Sequence, residues 1–414
     1  MVTTLKILTL NAWGIALPYP FGSKDRRVRI ASIAEALADG DYDIVALQEI
    51  WSVNDYEIIK KRVADVLPDS FYFHSGLIGS GVCIFTKGTI YGTMMHRYSL
   101  NGYPHHIHRG DWFGGKVAGL ARIGLYGFDI DVYATHLHAE YDKDNDLYLP
   151  HRVLQAYELS QFINETTRGD MAIVMGDLNL EPTDFGYQLV VSSACLKDAY
   201  EVSRNSVNLN VNDDPLEGMT CEVPTNCYVS KVSLERWPNG KRIDYILYRA
   251  NENVKITCRE CKTALGRIPT LPSINYSDHE AVHAALEISN EDRKPVLKCA
   301  DFPDQAIKLI DVGIAASQST RRLCGMVLGI LMVLFILTIN IEMVYQIRIF
   351  TFAALVARFS LTLVIGFVLI YGLVGLKMEQ KALEAAKSGM LVSKKASATG
   401  HAGSRGKWEQ SVES

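Results

Sequence analysis

No charge of either sign dominates this chain. Its 42 lysines and arginines stand against 46 aspartates and glutamates, a net charge of −4, so no general field would hold a polyanion and a nucleic-acid partner is not expected. Cysteines are few: Cys83, Cys195, Cys221, Cys227, Cys258, Cys261, Cys299 and Cys324 in 414 residues. They form neither a dense framework nor two zinc-type pairs, which fits reduced thiols in a reducing compartment. Cys258 and Cys261 have no second CxxC or HxxxH nearby to complete a zinc site. The opening MVTTLKILTLNAWG lacks the basic-then-apolar order of a signal peptide, and passage into the secretory lumen by that route is not expected. The glycines of HSGLIGSG lack the GK[ST] ending of a nucleotide loop and read as tight turns.

The chain is 48% hydrophobic and 21% charged, and its length exceeds the roughly 250–300 residues at which single cores stop growing. One large domain plus something extra is expected. To about residue 290, apolar runs of strand length (TLKILTLN, DIVALQE, GVCIFTK, KVAGLARIG, FDIDVYATHL, MAIVMGD, RIDYILY, AVHAALEI) alternate with helical patterns around Ile30, Ile33, Ala34 and Leu37 and over His151–Ile163. That is an α/β domain over 1–290 with more strands than a singly layered doubly wound sheet uses. Residues 203–218 read as a surface excursion.

Beyond residue 290 a linker over 291–322, with Pro295 and Pro303, leads to two uncharged runs, 323–341 and 359–376. As helices these reach about 28 Å and about 27 Å, close to the ~30 Å hydrocarbon core, and neither carries a polar face. Two membrane spans in hairpin are predicted, joined by a loop over 342–358 and followed by a tail over 377–414 that is disordered after a first helical stretch. The inter-span loop carries Arg348 and Arg358, whereas the outer flanks carry Lys308, Arg321, Arg322, Lys377, Lys381, Lys387, Lys394 and Lys395. The positive-inside bias therefore puts the N-terminal domain and the tail in the cytosol, on an endomembrane or the plasma membrane.

Six segments set polar residues at strand ends: Asn11 in LNAWG, Glu49 in LQEIW, His136 and His138 in THLHAEY, Asp177 and Asn179 in GDLN, Asp244 in RIDYIL, and Asp278 and His279 in SDHEAV. Singly each reads as a turn or a solvated side chain. Together, histidines with Glu, Asp and Asn oxygen donors and no cysteine suit a hard ion such as Mg²⁺. The remaining histidines, His105, His106 and His108, with His138 and Glu140, read as a polar loop on the cleft rim, and Trp13, Trp51 and Trp112 as rim packing.

In order and wording these segments resemble the endonuclease/exonuclease/phosphatase superfamily. The phrases GSGVCIFTK, NGYPHHIHRGDWFGGK, THLHAEY and WPNGKRIDYILY are similar to neutral sphingomyelinases with two C-terminal spans. The resemblance implies a DNase I-like four-layer α/β/β/α sandwich and Mg²⁺-dependent hydrolysis of sphingomyelin, or of a related phospholipid in a bilayer, to ceramide and phosphocholine. It implies Glu49 as metal ligand, with Asn11 beside it contacting metal or phosphate. His279 would be general base, oriented by Asp244; Asp177 and Asn179 would position water and phosphate, His136 would donate to a phosphoryl oxygen, and Asp278 would lie near the metal. Lys116 is equally a phosphate contact or a solvated strand-end lysine. Within the same fold the rival is a phosphodiesterase acting on another phospholipid, such as lyso-platelet-activating factor, ceramide phosphoethanolamine or a phosphoinositide. From another class the rival is a catalytically silent membrane scaffold.

Overall fold

The computed structural model describes residues 2–18, 21–206, 215–291, 299–300, 302–344 and 348–399. The middle of the expected surface excursion, Pro295 of the linker and the end of the tail lie outside them. The chain divides into a unit to Phe302 and a unit from Pro303.

The strands of the first unit are β1 (Val2–Asn11), β2 (Ile44–Gln48), β3 (Asp69–Tyr72), β4 (Cys83–Thr86), β5 (Thr89–Arg97), β6 (Val117–Leu125), β7 (Phe128–His136), β8 (Met171–Asp177), β9 (Lys197–Asp198), β10 (Asp244–Ala250), β11 (Val254–Ala264), β12 (Arg267–Ile268), β13 (Leu271–Asn275) and β14 (Ala281–Asn290). They make two mixed six-stranded sheets, ordered β11-β14-β1-β2-β4-β3 and β5-β6-β7-β8-β10-β9, with β12-β13 as a small pair.

Side-chain alternation along these strands builds both the core and the site. Leu5 and Ile7 of β1, Ile44 and Ala46 of β2, Ile130, Val132 and Ala134 of β7, Met171, Ile173 and Met175 of β8, and Ile246 of β10 fill one apolar layer between the sheets. Continuing the same parity to the strand ends gives Asn11, Gln48, His136, Asp177 and Asp244. Register aligns them: Asn11 pairs with Gln48, and Asp177 pairs with His136 on one side and Asp244 on the other.

The opposite parity faces helices. Leu8, Leu10, Val45 and Leu47 pack with Ile30, Ile33 and Leu37 of the helix Arg26–Asp39 and with Ile59 and Val63 of the helix Val53–Val63. On the other sheet Tyr133 meets Phe162 of the helix Leu149–Thr166, and Tyr245 meets Tyr187 of the helix Phe185–Ser193. The layers are therefore helix, sheet, sheet, helix, as the resemblance implied. Fully burying one such aliphatic side chain contributes about 1.5–3 kcal/mol, so the stack rests on many of them.

The reading of eight reduced thiols needs correction. Cys195 and Cys299 form a disulfide spanning 104 residues of sequence. With Ala300 donating to the Ser192 carbonyl and Phe302 against Tyr157, it fastens the end of the unit onto its outer helices.

In the second unit a helix runs Asp304–Val344, so it begins inside the stretch expected as linker. Another, Arg348–Leu369, begins inside the expected inter-span loop. A π-helical turn, Ile370–Gly375, leads to the helix Leu376–Ala398, so the helical stretch expected after Lys377 extends to Ala398. Two stretches are long and apolar enough to cross a membrane, within Asp304–Ile339 and Thr351–Ala398. Outside the apolar runs Lys387 pairs with Asp311 at 2.6 Å and Lys394 with Asp304 at 2.5 Å, while Leu383, Ala386 and Met390 are buried.

Candidate active site

The strand ends converge as their parity requires. Asn11 Nδ2 donates to Glu49 Oε1 at 3.2 Å and, 166 residues along the chain, to Asp177 Oδ2 at 3.0 Å. Its Oδ1 accepts from the Trp13 backbone at 3.0 Å. Asp177 Oδ2 lies 3.5 Å from His136 Nε2, which in turn accepts from Lys116 Nζ at 3.0 Å. Asp244 Oδ2 holds His279 Nδ1 at 2.8 Å. Ligand atoms of Asp177, Asp244 and His279 all lie within 4.8 Å of one another.

The backbone is bent to serve this convergence. Glu49 and Asn179 sit in the left-handed region at φ 58° and φ 50°, which costs a non-glycine residue on the order of 1–3 kcal/mol. At Gly176, inside β8, a Cβ would fall 2.0 Å from the Thr135 carbonyl oxygen. Only glycine lets β7 and β8 carry His136 and Asp177 side by side.

Burial decides the protonation states. It pushes Asp177 up to about 6, helped by the charge of Asp244. It also pushes Asp278 up to about 6, with Glu49 adding to the rise. Glu49 is raised by burial too, against the opposing pull of Lys116 and the Asn11 amide. His136 falls well below the ordinary imidazole range through burial and the neighbouring Lys116. It is therefore neutral, with Nε2 engaged by Lys116 and the buried Nδ1 without a hydrogen-bond partner. For His279 burial opposes the charged form, but the Cys221 sulfur and the Asp244 carboxylate outweigh it and the pKa rises well above the ordinary value. Because the Cys221 thiol is itself raised by burial and stays neutral, Asp244 is the cause that matters.

The strand-end residues singled out in the sequence are thus neighbours apart from His138; Asn179 turns its amide to the Leu137 carbonyl at 2.9 Å while its N–H holds Asp177 Oδ1 at 2.8 Å. Lys116 is buried, not solvated: Nζ reaches Asp111 Oδ1 at 3.0 Å and the Leu137 carbonyl at 2.6 Å. His138, expected on the rim, is buried against Tyr148 at 4.3 Å between ring centroids. Glu140 is tied to Arg152 at 3.0 Å.

Sequence reasoning missed three supports. Arg29, fully buried, donates to the carbonyls of Ala12, Trp13 and Tyr276 and so ties the Asn11 end to the segment before Asp278. Thr220 Oγ1 accepts from the Asp244 backbone at 3.2 Å, and its carbonyl accepts from Glu280 at 2.7 Å, clamping the Asp244 and His279 segments together. Asp111 sits below the usual carboxylate range: burial works against this, and Lys116, His138 and the Tyr141 hydroxyl outweigh it.

Residues with this chemistry fit a divalent cation. Three carboxyls, that of Asp177 buried and those of Glu49 and Asp278 half-buried, are pushed toward protonation, and the buried Asp244 Oδ1 has no hydrogen-bond partner. A hard ion held by oxygen donors relieves both conditions.

Residues 8–279 match the Endonuclease/Exonuclease/phosphatase family. A Caenorhabditis elegans relative, named provisionally as a neutral sphingomyelinase, is 43% identical over 92% of this chain and 89% of its own. Homo sapiens "Sphingomyelin phosphodiesterase 2" is 42% identical over 68% of this chain and 64% of its own. Schizosaccharomyces pombe "Inositol phosphosphingolipids phospholipase C" is 35% identical over 69% and 68%. Among solved structures, a humanized D. rerio TDP2 shares the fold, with TM-score 0.50, 16% identity, and coverage of 68% of this chain and 98% of that one. The chain belongs to the endonuclease/exonuclease/phosphatase family and, within it, to the neutral sphingomyelinases.

Proposed function

We propose that this protein hydrolyses sphingomyelin, with magnesium, to ceramide and phosphocholine at the cytosolic face of a membrane. The observation that carries the reading is the Asp244–His279 pair at 2.8 Å, set beside the Asn11, Glu49 and Asp177 cluster. The relatives' names supply the lipid.

Glu49, with Asn11 beside it, would hold the magnesium ion, which when bound supplies stabilisation of charge on the phosphoryl oxygens. His279 takes the proton of the attacking water at Nε2, because Nδ1 is committed to Asp244. Asp244 favours the imidazolium that forms. Water oxygen bonds to phosphorus as the bond to the ceramide oxygen breaks; that oxygen leaves with the bonding pair and is protonated from water to give ceramide, and no covalent intermediate is needed. The neutral His136, with an uncommitted Nδ1, donates to a phosphoryl oxygen; Asp177 and Asn179 position water and phosphate; Asp278 lies near the metal. Fixing water, base and phosphorus in line supplies several kcal/mol by orientation. Because ceramide remains in the bilayer, two spans confine enzyme and substrate to one surface and raise their effective concentration.

Release of phosphocholine from sphingomyelin vesicles by the full chain, with magnesium and then with chelator, tests the reaction. His279→Ala or Glu49→Ala protein turning over at the wild-type rate would overturn it. A parallel panel of ethanolamine and inositol-phosphate sphingolipids separates the rival substrates. Basic residues flanking the apolar helices support the cytosolic side. The Cys195–Cys299 disulfide argues against it, since reducing compartments disfavour such bonds. Protease protection of the first unit in sealed, oriented vesicles would reverse the assignment.

A further inference from the structure

Next to the phosphodiester site stands a cup of aromatic rings filled by the chain's own cation. The Arg109 guanidinium lies 4.4 Å from the ring centre of Tyr141 and 5.1 Å from that of Tyr148. Among the described residues no carboxylate pairs with it. Tyr148 also stacks on His138, with ring centroids 4.3 Å apart, and burial keeps that histidine neutral by pushing its pKa down to about 4. The Tyr141 hydroxyl donates to Asp111 Oδ2, and its phenol is raised by burial and by the charge of Asp111, with Arg109 opposing. Removing that guanidinium would leave two electron-rich ring faces, one of them on a phenol hydrogen-bonded to the Asp111 carboxylate, facing one place. Such a place attracts a cation.

The cup adjoins the reacting group. Lys116 Nζ touches both Asp111, at 3.0 Å, and His136 Nε2, at 3.0 Å, so one lysine head separates the cup's carboxylate from the histidine assigned to the phosphoryl oxygen. A phosphocholine head group joins phosphate to trimethylammonium through two methylenes, which matches this adjacency. Trimethylammonium makes no hydrogen bonds and is recognised chiefly by aromatic faces and negative field, whereas a primary ammonium is better held by water or hydrogen-bond acceptors.

We propose that Tyr141 and Tyr148 form the head-group subsite for a quaternary ammonium, and that Arg109 occupies it in the substrate-free protein and is displaced on binding. The inference rests on the hydrolysis proposed above and adds how choline is chosen over ethanolamine. Arg109 is half-buried and ends the short 3-10 turn Ile107–Arg109, so its side chain can swing to solvent without moving a strand.

The test measures hydrolysis of sphingomyelin and of ceramide phosphoethanolamine, each in vesicles at matched surface density, by the full chain. Wild type should prefer choline. Tyr141→Leu should lower the choline-to-ethanolamine ratio of kcat/KM by about tenfold, while Tyr141→Phe, which keeps the ring, should hold the ratio within about threefold. Arg109→Gln, which leaves no resident cation to displace, should lower KM for sphingomyelin severalfold. A wild-type ratio near one, a ratio untouched by Tyr141→Leu, or a KM raised by Arg109→Gln overturns the subsite; the last outcome would make Arg109 a phosphate contact. If wild type hydrolyses neither lipid, the proposed reaction itself fails.

Discussion

Replacing Asp244 by Asn changes the proposed catalytic pair least in shape and most in charge. The amide can still meet His279 Nδ1 across the present 2.8 Å, but it no longer favours the imidazolium formed when His279 takes the water proton. A hydrogen bond to a charged group contributes about 1.5–3 kcal/mol net, so the plateau rate should fall roughly 10- to 150-fold. The pH dependence gives the sign. His279 must be neutral to act as base, and Asp244 holds its pKa above the ordinary value; activity therefore rises with pH through that pKa. In Asp244→Asn the acid limb of kcat/KM should move to lower pH while the plateau drops. Initial rates on sphingomyelin vesicles between about pH 5 and 9 at saturating magnesium measure both. An unmoved acid limb with a plateau within twofold of wild type would refute the role. A higher magnesium requirement with an unmoved limb would instead make Asp244 a ligand, an option left open by its closeness to Asp177 and His279.

Glu49→Gln should reduce turnover by at least about 100-fold. It should also abolish the upward shift in melting temperature that magnesium gives wild type; a retained shift would place the ion elsewhere. Asp177 and Asp278, raised to about 6 from an unfolded value near 4, contribute stability that is fully present below about pH 4 and lost as pH rises through about 6, on the order of 2–3 kcal/mol each. Chelated protein should accordingly melt higher at pH 5 than at pH 7.5, with magnesium recovering the difference at pH 7.5; equal melting temperatures without ion would contradict this. Lys116→Met leaves the buried Asp111 without its lysine partner, and denaturant unfolding should show a loss of about 3–5 kcal/mol. Cys195→Ser opens a 104-residue loop and should lower stability by about 2–5 kcal/mol under oxidising conditions only.

Much of the site was legible because the alternation that makes a strand also ends it. Asn11, His136, Asp177 and Asp244 each continue the inward parity of an apolar run, so their convergence is implied once two sheets face each other. Strands β5 and β11 left no such mark. Both lie on sheet edges, β5 is exposed or half-exposed along its length, and their sequences alternate weakly. Arg29 was invisible for a different reason: on an amphipathic helix an arginine reads as solvent-facing, and nothing local reveals three backbone carbonyls waiting for it. Lys116 was undecided because its partners, Asp111 and His136, come from a loop and a strand that only tertiary packing brings together. The Cys195–Cys299 bond has no spacing signal at all, since one cysteine follows a helix and the other leaves the unit.

The pairing of β1 sets a constraint on how the molecule is made. Val2 is bonded opposite Ser289, and Thr9 opposite Val282, so the first strand of the unit is flanked by its last. Until β14 emerges, β1 can pair only with β2 and presents an open, apolar edge to whatever is nearby. Non-local pairing of this kind is slow and exposed to aggregation during synthesis. Since His279 itself lies just before β14, a nascent chain gains its proposed proton acceptor and loses its vulnerable edge in nearly the same moment, and truncations short of residue 290 should accumulate in chaperone-bound or insoluble form, not as partly active enzyme.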